Sequence, residues 1–133
     1  MPKVSGIVAG FKTYGAKLAN QNWAVSSLAD GAVVMSLWKH KFEPGPGMVY
    51  RDNLSRWSGA GNNLFRVHLK RAFDEKLPVH LVMAVSSDPA AIDRGEDGSK
   101  VPKRFFVRPE LAGSVETLVG DDFTIRFIEK PKT

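Results

Sequence analysis

The chain has 133 residues, a hydrophobic fraction of 43% and a formal net charge of +5, which fits one domain over residues 1–133. The absence of cysteine excludes disulfides, thiolate metal sites and cysteine nucleophiles. No run approaches the ~18 apolar residues of a membrane helix and residues 1–6 lack a signal-peptide core, so we expect a cytoplasmic protein without a membrane partner.

The first third of the sequence predicts a two-stranded hairpin. Residues 23–28 and 32–39 read as strands, and the Asp-Gly pair between them is a strong signal for a short hairpin turn. The return strand is apolar on both faces in its first half, which is typical of a central strand. Upstream, we expect a short strand over residues 5–11 and a loop over residues 12–22.

The middle of the chain combines an irregular segment with the main helix. Prolines and glycines at 44–47 interrupt regular structure, and residues 48–61 are expected to be irregular. A helix is predicted over residues 62–76, ended by Pro78. Its apolar face follows i, i+4, i+7, i+8 spacing and contains Phe65, Leu69, Ala72 and Phe73.

The last third adds strands around one short helical turn. Residues 79–86 predict a second central strand, and Asp88 is expected to cap a short helix that follows it. Residues 103–108 predict a further strand, and 113–119 with 123–128 a terminal hairpin. The order of elements predicts an α+β fold, a small mixed sheet curled into a barrel with the main helix packed against it.

Common catalytic and metal-binding signatures are missing from the sequence. The Gly45/Gly47 pair leads into no helix, so it is not a phosphate-binding loop. The three histidines lack metal-ligand spacing, and the carboxylates cluster in predicted turns, where they favour backbone capping. We therefore predict no catalytic residue, metal or cofactor, and favour a binding protein over an enzyme.

The tryptophans favour a pocket for a nucleic-acid base. Trp23 begins the first hairpin strand and Trp38 ends the second, so both lie at one end of the sheet, and Trp57 is expected to fold over that end. Stacking of a base on such rings is worth ~1–3 kcal/mol. Ser87 and Asp88 end a central strand and are predicted to add polar contacts, because a carboxylate accepts from the exocyclic amine of cytosine.

Basic residues are concentrated in the same part of the chain. Residues 1–72 carry a net charge of +7 and residues 73–133 a net charge of −2, an asymmetry typical of a polyanion-binding face. Cations interleaved with aromatic rings can hold phosphates while the rings hold a base. The predicted phosphate-binding residues are Lys39, Lys41, Arg51, Arg56 and Arg66.

Four short runs within residues 18–90 resemble a loosely defined group of bacterial domains that stand alone or are fused to HNH-type nucleases. The runs are Asn20-Gln21-Asn22-Trp23-Ala24-Val25, Val34-Met35-Ser36-Leu37-Trp38, Arg56-Trp57 and Val85-Ser86-Ser87-Asp88-Pro89. Members often have Trp-Ser-Trp where this chain has Trp23-Ala24-Val25. The resemblance implies a DNA-reading module with a nuclease partner. A barrel with an aromatic pocket is also similar, at the level of fold, to the PUA, SRA and ASCH readers of modified bases.

Three hypotheses follow. The leading one is a nucleic-acid-binding module that accepts a modified or flipped base from DNA or RNA. The first alternative is a protein-interaction or structural subunit of a phage or plasmid assembly. The second is a small nuclease or nucleotide-acting enzyme with His40 or His68 as general base, which requires a histidine and an acid that converge in a cleft. The choice between DNA and RNA and the oligomeric state stay open.

Overall fold

A computed structural model describes residues 3–20, 24–43, 47–56, 60–94 and 102–130 of the chain. In these ranges nine strands form one sheet, accompanied by three α-helices and two 3-10 helices, Lys39–Lys41 and Leu54–Arg56. The strands are β1 (Lys3–Val4), β2 (Ser26–Ala29), β3 (Ala32–Trp38), β4 (Phe42–Glu43), β5 (Met48–Asn53), β6 (Val79–Ser86), β7 (Lys103–Val107), β8 (Leu111–Val119) and β9 (Asp122–Glu129). The α-helices are α1 (Ile7–Thr13), α2 (Ala60–Glu75) and α3 (Pro89–Asp93).

A parallel pair, β3 and β6, forms the centre of the sheet. Its register runs from Val33 opposite Val79 to Trp38 opposite Ala84. β2 pairs with the other side of β3. The other side of β6 pairs with β7 along its second half and with β8 at Val79. Both predicted central strands are therefore confirmed.

The sheet divides beyond β6 and curls. β1 extends it beyond β7, whereas β9, β5 and β4 extend it beyond β8, all in antiparallel pairs. The result is a strongly curled half-barrel in an α+β fold, which confirms the predicted class. α2 packs Phe65, Leu69 and Ala72 into the main core with side chains of β3, β5, β6, β8 and β9. The predicted packing of the main helix against the sheet is confirmed, although Phe73 of its predicted apolar face is 36% exposed.

A smaller core lies on the opposite face of the central strands. Phe11 of α1 is fully buried there, packed with Val34, Val82 and Phe105. α1 approaches the sheet closely at Gly10, where an added Cβ would lie 2.8 Å from Cγ1 of Val82. Trp38 contacts both cores.

Several predicted elements are confirmed. The hairpin turn lies between β2 and β3, with Gly31 at a φ of 70° that suits glycine. The main helix, the strand over residues 79–86 and the terminal hairpin occur as α2, β6 and β8–β9. Asp88 caps α3, because its carboxylate accepts from the backbone N–H of Ala91.

Two expectations are wrong. Residues 5–11 do not form a strand; α1 occupies Ile7–Thr13, and its buried Gly10 and Phe11 face the sheet. Residues 48–61 are not irregular, because β5 runs between β4 and β9. The side chains of Tyr50 and Asp52 in β5 are both buried. Because one of these buried residues is acidic, the sequence of β5 does not show the apolar alternation that predicts a strand. No helix in the described ranges is long and apolar enough to cross a membrane.

Candidate functional site

The carboxyl ends of β3 and β6 create a surface with an open depression. Because the two strands are parallel, both end at the same edge of the sheet. We call this area, residues 38–42 and 85–89, the carboxyl-end surface. The depression has a volume of about 270 Å³ and is lined by Lys39, His40, Phe42, Val85, Ser86 and Pro89. In open sheets with parallel strands, ligands commonly bind beyond the carboxyl ends of those strands.

Trp38 provides a half-buried aromatic ring at this surface. It ends β3 opposite Ala84 of β6. The ammonium of Lys103 lies 5.9 Å from the centroid of the indole ring, and the His40 ring centroid lies 6.2 Å away. Trp23 and Trp57 lie outside the described residues, so the convergence of three tryptophans stays a prediction.

Ser87 and Asp88 lie at the same surface, both exposed. The Ser87 hydroxyl donates to the carbonyl oxygen of Pro102 at 2.9 Å, and Asp88 caps α3 through a 3.3 Å bond from Ala91. Ser86, rather than Ser87, lines the depression. Both predicted polar residues therefore form hydrogen bonds with backbone groups, at the surface where contacts with a base were expected.

The predicted phosphate-binding cations are not brought together. Three pair with carboxylates: Lys41 with Asp93 and Asp52, Arg51 with Glu43, and Arg66 with Asp121. The side chain of Arg56 lies outside the described part of the structure. Lys39 is exposed, lines the depression and forms no ion pair within the described ranges. A phosphate at the other three positions would compete with a carboxylate.

Two cations of β7 pair with residues that line the depression, and the sequence did not single them out. Lys103 is opposite Ser86 and Arg104 is opposite Val85 in the antiparallel register. Opposite residues share a face of the sheet and successive residues point to opposite faces, so Arg104 shares a face with Val85 and Lys103 shares the other face with Ser86. Arg104 is exposed and has no ion pair among the described residues. The Lys-Arg pair was visible at the start of a predicted strand, but only the pairing of β7 with β6 places it here.

A buried carboxylate anchors the inner side of the surface. The Asp52 side chain has no exposed area and lies 4.0 Å from the Lys41 ammonium. It also accepts hydrogen bonds from the Tyr50 hydroxyl at 3.2 Å and the Asn53 backbone N–H at 2.8 Å. Lys41 is only 11% exposed. Lys41 therefore connects the core to the carboxyl-end surface.

His40 and Asp93 meet at the rim of the depression. Nε2 of His40 lies 3.2 Å from Oδ1 of Asp93, and the Lys41 ammonium lies 2.9 Å from the same oxygen. The hydrogen bond from Lys41 lowers the pKa of the Asp93 carboxyl, and the bond with His40 lowers it further. Asp93 is therefore ionised at neutral pH and fixes the His40 ring by accepting a hydrogen bond from its Nε2–H group.

The other two histidines have different surroundings. Nδ1 of His68 lies 2.7 Å from the Ser26 hydroxyl inside the protein, and the His80 ring stacks on Tyr14 at 4.9 Å. Neither lines the depression. Of the two histidines considered as general bases, only His40 meets an acid in a cleft. No group of three histidine, aspartate or glutamate side chains suited to a metal ion occurs in the described ranges.

Comparisons with known proteins find no match: no family model, curated protein or solved structure is significantly similar to the chain. The resemblance to HNH-linked bacterial domains therefore depends on the sequence runs alone.

Proposed function

We propose that this protein binds nucleic acid at the carboxyl-end surface. The observation that carries the proposal is the position of Lys39 and Arg104. Both are exposed, and neither forms an ion pair within the described ranges. Lys39 lines the depression, and Arg104 is opposite Val85 of its lining. Lys41, Arg51 and Arg66 each pair with a carboxylate, whereas these two have no such partner in the described ranges. The net charge of +5 adds a weak general attraction for polyanions.

Trp38 is the proposed contact for a base. Its ring interacts with the Lys103 ammonium, a contact worth about 0.5–1 kcal/mol at an exposed site. A phosphate that attracts Lys103 would uncover the indole for stacking, which is worth ~1–3 kcal/mol per base. Binding of phosphate and base would then be coupled. A flipped or modified base in this position, as in PUA-like readers, is the finer form of the proposal.

Salt-dependent binding tests the phosphate contacts. We would titrate labelled single-stranded DNA and RNA at several salt concentrations with the wild-type protein and with the double variant Lys39→Ala/Arg104→Ala. Each lost phosphate contact on a single strand reduces the slope of log K against log salt by about 0.7. The double variant should therefore lower the slope by about 1.4.

The matched control is Lys70→Ala/Arg71→Ala, which removes the same charge from α2. Lys70 and Arg71 already pair with Asp74 and Glu75, so the slope should stay near the wild-type value. Equal effects of the two double variants on the salt slope would contradict the assignment of nucleic-acid binding to the carboxyl-end surface. No binding at protein concentrations up to about 100 μM, where non-specific binders normally register, would contradict the function itself.

The base contact has a separate test. Trp38→Leu should weaken binding of single strands by about five- to 160-fold, the loss of ~1–3 kcal/mol of stacking, with an unchanged salt slope. Duplexes containing cytosine, 5-methylcytosine or 5-hydroxymethylcytosine would then be compared. Equal affinity for all three duplexes would contradict the recognition of a modified base. The proposed phosphate contacts would be unaffected by that result.

A further inference from the structure

We propose that the depression also cleaves RNA, with His40 as the general base and Lys39 and Arg104 holding the phosphate. This inference depends on the proposed binding of nucleic acid at the same surface. It goes beyond binding because it assigns a reaction and selects RNA as the substrate. The carrying observation is that His40 and Lys39 line one open depression, that His40 contacts the Asp93 carboxylate, and that Arg104 is opposite Val85 of the lining. Neither of the two cations forms an ion pair in the described ranges.

The geometry of His40 suits proton transfer. Its Nε2 faces Asp93 at 3.2 Å, and the side chain is 20% exposed. Within the described ranges Nδ1 has no hydrogen-bond partner. With Nε2 donating to a carboxylate, the neutral ring carries its lone pair on Nδ1. A base placed in this way contributes typically 10²–10⁴-fold to a proton-transfer step.

The carboxylate that orients His40 is itself fixed from the core. Asp93 accepts from Lys41 at 2.9 Å, and Lys41 lies 4.0 Å from the buried Asp52. The chain of contacts Asp52–Lys41–Asp93–His40 connects the interior to the depression. Such support from behind a reacting group restricts its rotation and keeps it in a productive orientation.

The reaction conserves atoms and charge without an added reactant other than water. Nδ1 of His40 takes the proton of a ribose 2′-hydroxyl, and the 2′-oxygen forms a bond to the adjacent phosphorus. The bond from phosphorus to the 5′-oxygen breaks, the 5′-oxygen takes a proton from water, and His40 returns its proton to solvent. The products are a 2′,3′-cyclic phosphate and a 5′-hydroxyl end. Lys39 and Arg104 stabilise the negative charge that grows on the phosphate oxygens.

The competing interpretation is a structural one, in which Asp93 only fastens α3 to the 3-10 helix Lys39–Lys41. The two interpretations differ in their consequences for His40→Gln. A structural contact at the surface contributes a small amount of stability and nothing to RNA cleavage. A general base contributes to cleavage far more than to stability.

The experiment compares two strands of the same sequence, each with and without EDTA. One is RNA, and the other carries a 2′-O-methyl group on every ribose, so it can bind but has no 2′-hydroxyl to react. We expect the wild-type protein to bind both strands and to cleave only the RNA, leaving 2′,3′-cyclic phosphate ends. His40→Gln should reduce the cleavage rate by about 100-fold or more while the 2′-O-methyl strand still binds.

The matched control is His80→Gln, because His80 stacks on Tyr14 and does not line the depression. This variant should cleave RNA at the wild-type rate. Binding of the 2′-O-methyl strand without cleavage of RNA would overturn this inference and leave the proposed function intact. Loss of both binding and cleavage would overturn both. Cleavage that persists in His40→Gln, or that EDTA abolishes, would overturn the assigned mechanism.

Discussion

Asp52 places an acidic side chain in the interior of the protein, where such a group is tolerated only with partners. Its carboxylate has no exposed area and lies 4.0 Å from the Lys41 ammonium. It also accepts hydrogen bonds from the Tyr50 hydroxyl and the Asn53 backbone N–H. In the sequence, Lys41 looked like a phosphate ligand, whereas in the folded chain its ammonium lies between two carboxylates.

Lys41→Met should therefore destabilise the protein. The substitution keeps most of the aliphatic length of the side chain but removes the ammonium that lies between Asp52 and Asp93, which should lower the free energy of unfolding by about 1–3 kcal/mol. Urea denaturation followed by circular dichroism measures the change. Lys70→Met is the control, because Lys70 is 70% exposed and pairs with Asp74. This substitution should lower the free energy of unfolding by no more than about 0.5 kcal/mol. Similar losses for both variants would contradict the role given to Lys41.

Two histidines should make the free energy of unfolding depend on pH. Burial lowers the pKa of His68, with a contribution from Arg71, and burial lowers the pKa of His80, with a contribution from Lys130. Between these folded-state values and the unfolded value of about 6.5, the unfolded chain binds more protons. Stability is therefore complete above about pH 6.5 and is lost as the pH falls from there towards the folded-state pKa values.

Urea midpoints measured at about pH 7.5 and about pH 5.5 should show the lower stability at the acidic pH. His68→Gln should reduce this difference, because one of the two titrating groups is removed. NMR titration of the histidine ring protons gives the independent check. A His68 or His80 resonance that titrates at or above the ordinary pKa of about 6.5 would contradict the prediction.

At the scale of elements, the contact between β8 and β9 depends on one small residue. Gly113 pairs with Phe127 in the register of these strands. A Cβ added at Gly113 would lie 2.6 Å from Cδ1 of the Phe127 ring, and Phe127 is fully buried in the main core. The ring has no free space in which to turn aside, because it packs among the other side chains of that core.

Gly113→Ala should consequently lower the free energy of unfolding by about 1–3 kcal/mol, the usual cost of overpacking a core. Gly6→Ala is the matched control. Gly6 has extended backbone, with a φ of 176°, and nothing lies within 4 Å of its added Cβ. Both variants would be compared by urea denaturation. Equal stability of Gly113→Ala and Gly6→Ala would mean that β8 and β9 do not pack with this register.

The elements that were predicted correctly have strong local signals. The Asp30-Gly31 turn, the periodic apolar face of α2 and the alternation in β9 each require only a few neighbouring residues. α1 and β5 were missed for different reasons. α1 has only seven residues, too few for a clear helical period, and β5 places Asp52 where the alternation calls for an apolar residue.

At the scale of the whole molecule, Trp38 joins the two cores. The main core and the α1 core lie on opposite faces of the central strands, and Trp38 packs against both. β3 and β6 also contribute buried residues to each core. Unfolding of either core should therefore disrupt the strands on which the other depends.

We expect one cooperative unfolding transition for this reason. Far-ultraviolet circular dichroism, which follows the backbone, and tryptophan fluorescence should give the same urea midpoint. Coincident midpoints would support the predicted single domain. Two separated midpoints would indicate that α1 and its core unfold independently of the half-barrel.

The sequence alone determined the α+β class, the central strands and the main helix, because hydrophobic periodicity and turn residues act over short distances along the chain. It also placed Trp38, Lys39, Ser87 and Asp88 at the end of central strands. It could not determine which cations are neutralised or that His40 meets Asp93, since these contacts join residues as far as 55 positions apart. The curl of the sheet and the pairing of β7 with β6 decide such contacts. Strand register and ion pairing depend on the packing of the whole chain, so only the tertiary structure separated Lys39 and Arg104 from cations already held by carboxylates.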